Sequence, residues 1–172
     1  MTTHLRLRPT MLSDLDFVMG VERDAANLPF ITPWERTQHE GAVRFPDFRH
    51  FIVEAGTGTQ AAGLVILQGC RSPHRSVELK RIVLQRKGEG LGRNCVRLLK
   101  RMAFRDLRAH RFWLDVKSRN LRAQRLYESE GFVVEGTLRE AVRLDHGYDS
   151  LVVMSMLDAE YTARVGAGAE AG

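Results

Sequence analysis

Three glycines at alternate positions, Gly88, Gly90 and Gly92, separate an apolar, β-branched stretch from a long amphipathic one. This order predicts a strand, a glycine loop and a helix, whose first backbone N–H groups attract phosphate. Glycine permits positive φ and a close approach of the ligand to the backbone. Lys87 and Arg93 flank the loop and can add charge-assisted contacts. The spacing therefore indicates a phosphate-binding loop, with a tight turn before a packed helix as the structural alternative.

Other ligand sites are poorly supported by the sequence. A dinucleotide fingerprint requires a third glycine where Arg93 stands, and no Gly-Lys-Ser/Thr sequence completes a nucleoside triphosphate loop. Cys70 and Cys95 lack metal-ligand spacing and are interpreted as small buried hydrophobic residues. We therefore expect no metal.

The surrounding patterns predict an α+β fold. Helical spacing of apolar residues follows the glycines and also appears in MLSDLDFVMGVERDAA, ERTQHEGAVRF and NLRAQRLYESEGF. Strand patterns are seen in HLRLRP, HFIVEA, AAGLVILQG, SVELKRIVL, RFWLDVK, FVVEGTLREAVRL and YDSLVVMSML. Hairpins at both ends would flank a right-handed crossover between two parallel strands, whose carboxyl ends form a crevice.

Length and composition predict one ordinary domain. The chain has 172 residues, of which 44% are hydrophobic and 27% charged, so we expect a single domain over residues 1–160 and a flexible tail over 161–172. Without a secretory signal or an apolar run of membrane-spanning length, the sequence predicts a cytoplasmic protein with no membrane partner.

The net charge of +5 suits an anionic ligand or nucleic acid. The densest basic stretch, RLLKRMAFRDLRAH, alternates with apolar positions and is typical of a solvated helix face. Aromatic residues, at 8%, are not interleaved with these charges. We therefore expect no nucleic-acid partner, although a nucleic-acid-binding protein remains an alternative.

Two motifs in the second half, over about residues 76–157, resemble the GNAT superfamily of acetyl-CoA-dependent N-acetyltransferases. The family's pyrophosphate loop has Gln or Arg, two residues, Gly, one residue, then Gly or Ala. Gln85–Gly90 fits literally, whereas Lys87–Gly92 fits with Lys at the first position and is preferred because it opens the helix as in the family. The second motif is Asn120, then Leu-Tyr ending at Tyr127, then Gly131-Phe132. GTLREAVRLDHGYDSLVVMSML resembles the ribosomal-protein N-terminal and small-amine (spermidine-type) subgroup.

The resemblance implies a mixed, mostly antiparallel sheet with a splayed parallel strand pair and flanking helices. It implies acetyl-CoA as co-substrate, with its pantetheine arm along one splayed strand and its pyrophosphate in the glycine loop. The implied coenzyme-binding residues are Ile82, Val83, Leu84, Lys87, Gly88, Glu89, Gly90, Leu91, Gly92, Arg93, Asn120 and Tyr127.

The resemblance also implies catalytic roles. Tyr127 would protonate the departing thiolate, its alternative role being a core tyrosine. Glu78 would be the base that accepts the amine proton, its alternative being a cross-strand ion pair. Asn120 can also cap its helix. His146 is interpreted as a turn residue.

The expected function is acetyl transfer to a primary amine of a small molecule. A peptide or ribosomal-protein N-terminus is an alternative acceptor, and a non-catalytic CoA-binding module is an alternative of another class. Trp34 and Glu35 could face the amine through cation–π and ionic contacts, or Trp34 could pack beneath its loop. A homodimer is also left open.

Overall fold

The computed structural model describes residues 4–57, 60–85 and 90–170. Seven strands lie in these ranges: β1 (Leu5–Pro9), β2 (Arg49–Ala55), β3 (Gln60–Gln68), β4 (Ser76–Leu84), β5 (Arg111–Lys117), β6 (Val133–Leu144) and β7 (Gly147–Leu157). They form one sheet in the order β1-β2-β3-β4-β5-β7-β6. All neighbours are antiparallel except β4 and β5, which are parallel. The predicted mixed, mostly antiparallel sheet is confirmed.

Five α-helices accompany the sheet in the described residues: α1 (Leu15–Glu22), α2 (Arg36–Arg44), α3 (Leu91–Arg101), α4 (Leu121–Ser129) and α5 (Asp158–Gly166). A short 3₁₀ turn precedes α1, and a π-helical turn over Met102–Asp106 continues α3. The loop between α1 and α2 has no regular helix or strand, as its two prolines predict.

The two faces of the sheet carry separate hydrophobic clusters. On one face, Leu15 and Val18 of α1 pack on β2, β3 and Val83 of β4. On the other face, α3, α4 and α5 pack on the central strands, with Cys95, Leu99 and other apolar side chains fully buried. The sheet therefore separates the face that carries α1 and α2, called the α1–α2 side, from the face that carries α3, α4 and α5, called the α3–α4 side.

The C-terminal helix α5 was not predicted from the sequence. It begins before residue 161, where the sequence analysis places a tail. The Glu160 side chain accepts a hydrogen bond of 2.8 Å from the Leu157 amide at the start of the helix. Tyr161 stacks on Phe104 with ring centroids 4.9 Å apart. The sequence feature that could have predicted this helix is Glu160, a capping carboxylate three residues into the helix from its N-cap.

No helix in the described parts of the chain has both the length and the apolar character needed to cross a membrane.

Candidate active site

The central cleft opens because β4 and β5 separate soon after they pair. Their parallel pairing covers only Ser76 with Arg111, Val77 with Phe112 and Glu78 with Trp113. Beyond Trp113, the two strands line opposite walls of a cleft of about 1200 Å³. The edge of β4 that faces β5 from Leu79 onward is therefore free of strand pairing within the described residues. An extended ligand can hydrogen-bond to that edge as a short additional strand.

A β-bulge at Lys80 determines which side chains reach each side of the sheet. Leu67 of β3 pairs with Leu79, and the next residue, Ile66, pairs with Arg81, so Lys80 is the extra residue. Leu79 packs in the cluster on the α3–α4 side. Arg81 instead contacts Glu22 at the end of α1. Because of the bulge, Arg81 lies on the same side of the sheet as Glu78.

The described part of the glycine loop enters α3 with the expected backbone geometry. Gly90 has φ of 72° and is the N-cap of α3. A Cβ atom added to Gly90 would meet nothing within 4 Å. Gly90, Gly92 and Arg93 line the cleft, whereas Leu91 is buried in the core. The predicted loop residues Lys87, Gly88 and Glu89 lie outside the described residues.

Arginines gather at the α3–α4 end of the cleft, where Arg93, Arg122 and Arg125 contribute to its wall. Nη1 of Arg93 donates to Ser129 Oγ at 3.0 Å and also bonds the buried Glu130 carboxylate. This anchoring holds the Arg93 side chain across α3 and α4. The positive charge at this end suits the phosphates of a coenzyme.

Asn120 and the predicted pantetheine strand lie in the cleft wall. Asn120 caps α4, its Oδ1 accepting a 3.2 Å hydrogen bond from the Ala123 amide, which is the capping role anticipated for it. Ile82, Val83 and Leu84 also line the cleft, and their other edge pairs with β3.

Tyr127 of α4 lies at the wall of the cleft and is only 7% exposed. Its ring packs against Phe132 with a centroid distance of 5.7 Å. Burial, with a smaller contribution from Cys95, raises the pKa of the phenol, so the hydroxyl keeps its proton at neutral pH. In the described part of the chain the hydroxyl has no hydrogen-bond partner. A protonated phenol facing a cleft can donate to a ligand.

The other proposed catalytic residue, Glu78, lies at the last paired position of the parallel strands. Its Oε1 accepts a hydrogen bond from Lys80 Nζ at 3.3 Å, which is an ion pair within β4 and not the cross-strand pair given as the alternative. Burial raises the pKa of Glu78, and the Asp115 charge adds to this effect against the opposing effect of Lys80. Glu78 is not among the residues that form the cleft wall, whereas Asp115 is.

Sequence reasoning missed Asp115 and Lys117, which both line the cleft. They are two residues apart on β5, and Val116 between them packs in the core of the α3–α4 side. Asp115 and Lys117 therefore point toward the α1–α2 side. The alternation of sheet faces along RFWLDVK was the sequence pattern that could have identified these two residues.

A buried polar chain supports the α1–α2 side of the cleft. Glu22 Oε1 bonds His39 Nε2 at 2.6 Å, His39 Nδ1 lies 3.0 Å from His50 Nε2, and His50 Nδ1 lies 2.8 Å from Thr10 Oγ1. All four residues are nearly or completely buried. The second Glu22 oxygen pairs with Arg81.

Trp34 lines the cleft, but a cation of the protein itself already contacts its ring. The Arg81 guanidinium lies over its ring, 5.5 Å from the centroid. The ring also packs against Phe48, with the ring centroids 6.3 Å apart. These contacts are those of a side chain that packs beneath its loop. Glu35 begins α2, and its carboxylate lies 3.7 Å from Arg23 on the exposed surface.

The described residues contain no cluster of His, Cys, Asp and Glu arranged to hold a metal ion. Burial raises the pKa of the Cys95 thiol to about 12, which makes it a poor nucleophile.

Comparisons with known proteins agree with this geometry. A family model described as acetyltransferase (GNAT) domain matches residues 4–133. Spermidine N(1)-acetyltransferase of Vibrio cholerae is 29% identical over 95% of this chain and 99% of its own length. The structure of spermidine N-acetyltransferase from Vibrio cholerae in complex with CoA and spermine has a TM-score of 0.82 at 27% identity, covering 92% of this chain and 98% of its own. A dodecameric structure of the Vibrio cholerae enzyme has a TM-score of 0.78 at 26% identity, covering 94% of this chain and 97% of its own.

Proposed function

The chain belongs to the GNAT acetyltransferase family of acetyl-CoA-dependent N-acetyltransferases, and we propose a division of roles along its cleft for acetyl transfer to a primary amine of a small molecule. The observation that carries this proposal is the separation of β4 from β5 after Glu78 and Trp113, with Tyr127 at the wall of the resulting cleft. The relatives named above act on spermidine, a small-molecule amine.

The coenzyme is held along β4 and at the start of α3. The open edge of β4 near Ile82–Leu84 binds the pantetheine arm, and a backbone N–H of this strand polarises the thioester carbonyl. Gly90 and Gly92 allow the pyrophosphate to approach the backbone at the start of α3. Arg93 and the arginines of α4 lie at the same end and neutralise phosphate charge.

The α1–α2 side holds the acceptor. Asp115 attracts the ammonium group of the amine, because its carboxylate lines the cleft there. Burial, with a smaller contribution from the Asp115 charge, raises the pKa of Glu78, so Glu78 is a better proton acceptor than an ordinary carboxylate. Glu78 receives the amine proton through a bridging water. The neutral nitrogen then attacks the thioester carbonyl carbon.

Tyr127 completes the transfer. As the carbon–sulfur bond breaks, the Tyr127 hydroxyl gives its proton to the departing thiolate. The phenol is protonated at neutral pH, because burial raises its pKa, so its proton is available where the thiolate forms. The nitrogen still carries one excess proton after the attack and passes it through water to the Tyr127 phenolate, which restores the hydroxyl, while Glu78 releases its proton to solvent. The products are an N-acetylated amine and free CoA.

The direct test is mass spectrometry of the products formed from isotopically labelled acetyl-CoA and a panel of small amines, peptides and alcohols. We expect label on the nitrogen of one or more small amines. Label found only as an O-acetyl ester, or only on peptide N-termini, would exclude this acceptor class. Coenzyme binding without any transfer would identify a non-catalytic module.

Self-association is part of the proposal. A similar enzyme has been described as dodecameric. Here β6 is at the edge of the sheet and exposes Val133, Val134 and Leu138, which is typical of a surface that another copy covers. Native mass spectrometry is expected to show an oligomer, and a monomer at all concentrations would refute it.

A further inference from the structure

Lys117 is a buried cation that no acidic side chain contacts in the part of the chain that the structure describes. It is 6% exposed and lines the cleft at the end of β5. Among the described residues, its ammonium makes no hydrogen bond and no ion pair. Burying an unpaired charge is costly, so this position favours a ligand that carries the opposite charge.

The neighbouring charged groups are already paired with other residues. Asp149, whose charge raises the pKa of Lys117 against the larger effect of burial, forms an ion pair with Arg119 at 2.7 Å and accepts a hydrogen bond from Ser118 Oγ at 3.0 Å. Arg81 of β4, whose charge also acts on Lys117, is paired with Glu22. Among the wall cations that the structure describes on this side, Lys117 is therefore the one whose charge is not compensated by a contacting residue.

The overall charge of the cleft wall argues against an acceptor with several positive charges. Within residues 4–57, 60–85 and 90–170, the charged wall residues are one carboxylate, Asp115, and the cations Lys80, Arg81, Arg93, Lys117, Arg122 and Arg125. The coenzyme phosphates account for the arginines at the α3–α4 end. On the acceptor side, a long polyamine would bring one ammonium to Asp115 and another close to Lys117, whose charge no contacting residue compensates. The resulting repulsion would oppose its binding.

A compact molecule that carries both charges matches this wall. Side chains two residues apart on a strand share a face, and their Cα atoms are about 6.5 Å apart. We propose that the acceptor is a small amine with an anionic group, a carboxylate or phosphate, a few bonds from its amino group. Lys117 binds the anionic group while Asp115 binds the amine. This inference rests on the proposed N-acetyltransferase activity.

The test compares acceptors that differ only in the anionic group. Lysine is paired with 1,5-diaminopentane and phosphoethanolamine with ethanolamine, which separates carboxylate from phosphate recognition; spermidine is included. For the wild type we expect kcat/KM to favour the anionic member of at least one pair by about 10- to 100-fold, the effect of one charge-assisted hydrogen bond.

Two variants locate the source of this preference. Lys117→Met should remove this preference, because it lowers kcat/KM for the anionic acceptor. The kcat/KM for the paired acceptor that lacks the anionic group should change little. Lys117→Arg keeps the positive charge and should restore most of the preference. Acetyl-CoA affinity and melting temperature should stay near wild type in both variants, which confirms that the cleft is folded.

The outcomes separate the acceptor class from the activity. A wild-type preference for diamines or spermidine, or an anionic preference that survives Lys117→Met, would overturn the inference and leave the N-acetyltransferase activity intact. Failure to acetylate any amine in the panel would overturn both.

Discussion

Glu22 on α1 and Arg81 on β4 form an ion pair beneath the acceptor side of the cleft, and both side chains are almost completely buried. The same Glu22 carboxylate bonds His39 of α2 at 2.6 Å, and Arg81 donates to the Thr32 carbonyl at 2.8 Å. One carboxylate therefore connects the two acceptor-side helices to the strand that we propose binds the coenzyme. Burial opposes its ionisation, but His39 and Arg81 hold the pKa of Glu22 below its usual range.

Replacing Glu22 with Gln should destabilise the fold strongly, because it leaves Arg81 buried without a counter-charge. Breaking a buried ion pair in this way typically costs about 3–5 kcal/mol. The free energy of unfolding is measured by urea denaturation. Asp16→Asn is the matched control, since Asp16 pairs with Arg36 at 2.7 Å but is 91% exposed. Its effect should stay below about 1 kcal/mol. Equal losses in the two variants would contradict the structural role of Glu22.

Stability should fall in mild acid because of His50. Burial, with a further contribution from His39, lowers the pKa of His50 from its usual 6.5 to about 4. As the pH falls below 6.5, the His50 imidazole therefore takes up a proton in the unfolded chain but stays neutral in the folded chain until about pH 4. The resulting loss grows down to about pH 4 and amounts to about 2 kcal/mol at pH 5.

Urea denaturation at pH 7.5 and pH 5 measures this loss, and His50→Gln provides the comparison because its side chain does not titrate. The variant should lose about 2 kcal/mol less than the wild type between the two pH values. Parallel pH profiles for wild type and variant would show that another group is responsible.

The fold was largely predictable because its central strands have strong local signals. The bounds of SVELKRIVL and RFWLDVK agree with β4 and β5 at both ends. β-branched and aromatic residues dominate both segments, and turn residues or glycines bound them. Gly90 was also identified as the entry to a helix, since glycine tolerates its positive φ.

The acceptor side was less predictable because it depends on tertiary contacts. The bulge at Lys80 arises from the pairing of β4 with β3, which no local pattern in β4 reveals. His39 and Glu22 are 17 positions apart in the chain and meet only after α1 and α2 pack. In the sequence, Lys117 is typical of an ordinary lysine at the end of a strand. Only the separation of β4 and β5 in the structure places it in a cleft.

Replacing Gly90 with Ala should weaken acetyl-CoA binding by at least about 10-fold, because the added Cβ would occupy the space proposed for the pyrophosphate. Gly56→Ala is the control, as Gly56 also has positive φ and open space around the added atom, but it lies in the β2–β3 turn. Backbone strain should cost each variant about 1 kcal/mol. Isothermal titration calorimetry measures the affinity, and equal affinities in the two folded variants would contradict the loop assignment.

The proposed role of Tyr127 as proton donor is tested by the single-turnover rate of acetyl transfer in Tyr127→Phe. The substitution keeps the ring that packs on Phe132 and removes only the proposed proton donor. Tyr161→Phe is the control, since Tyr161 is a buried phenol outside the residues that line the cleft. With the acceptor identified by mass spectrometry, we predict a rate about 10²–10⁴-fold below wild type for Tyr127→Phe. Its acetyl-CoA affinity should be unchanged, and Tyr161→Phe should react at the wild-type rate. A wild-type rate in Tyr127→Phe would contradict the account.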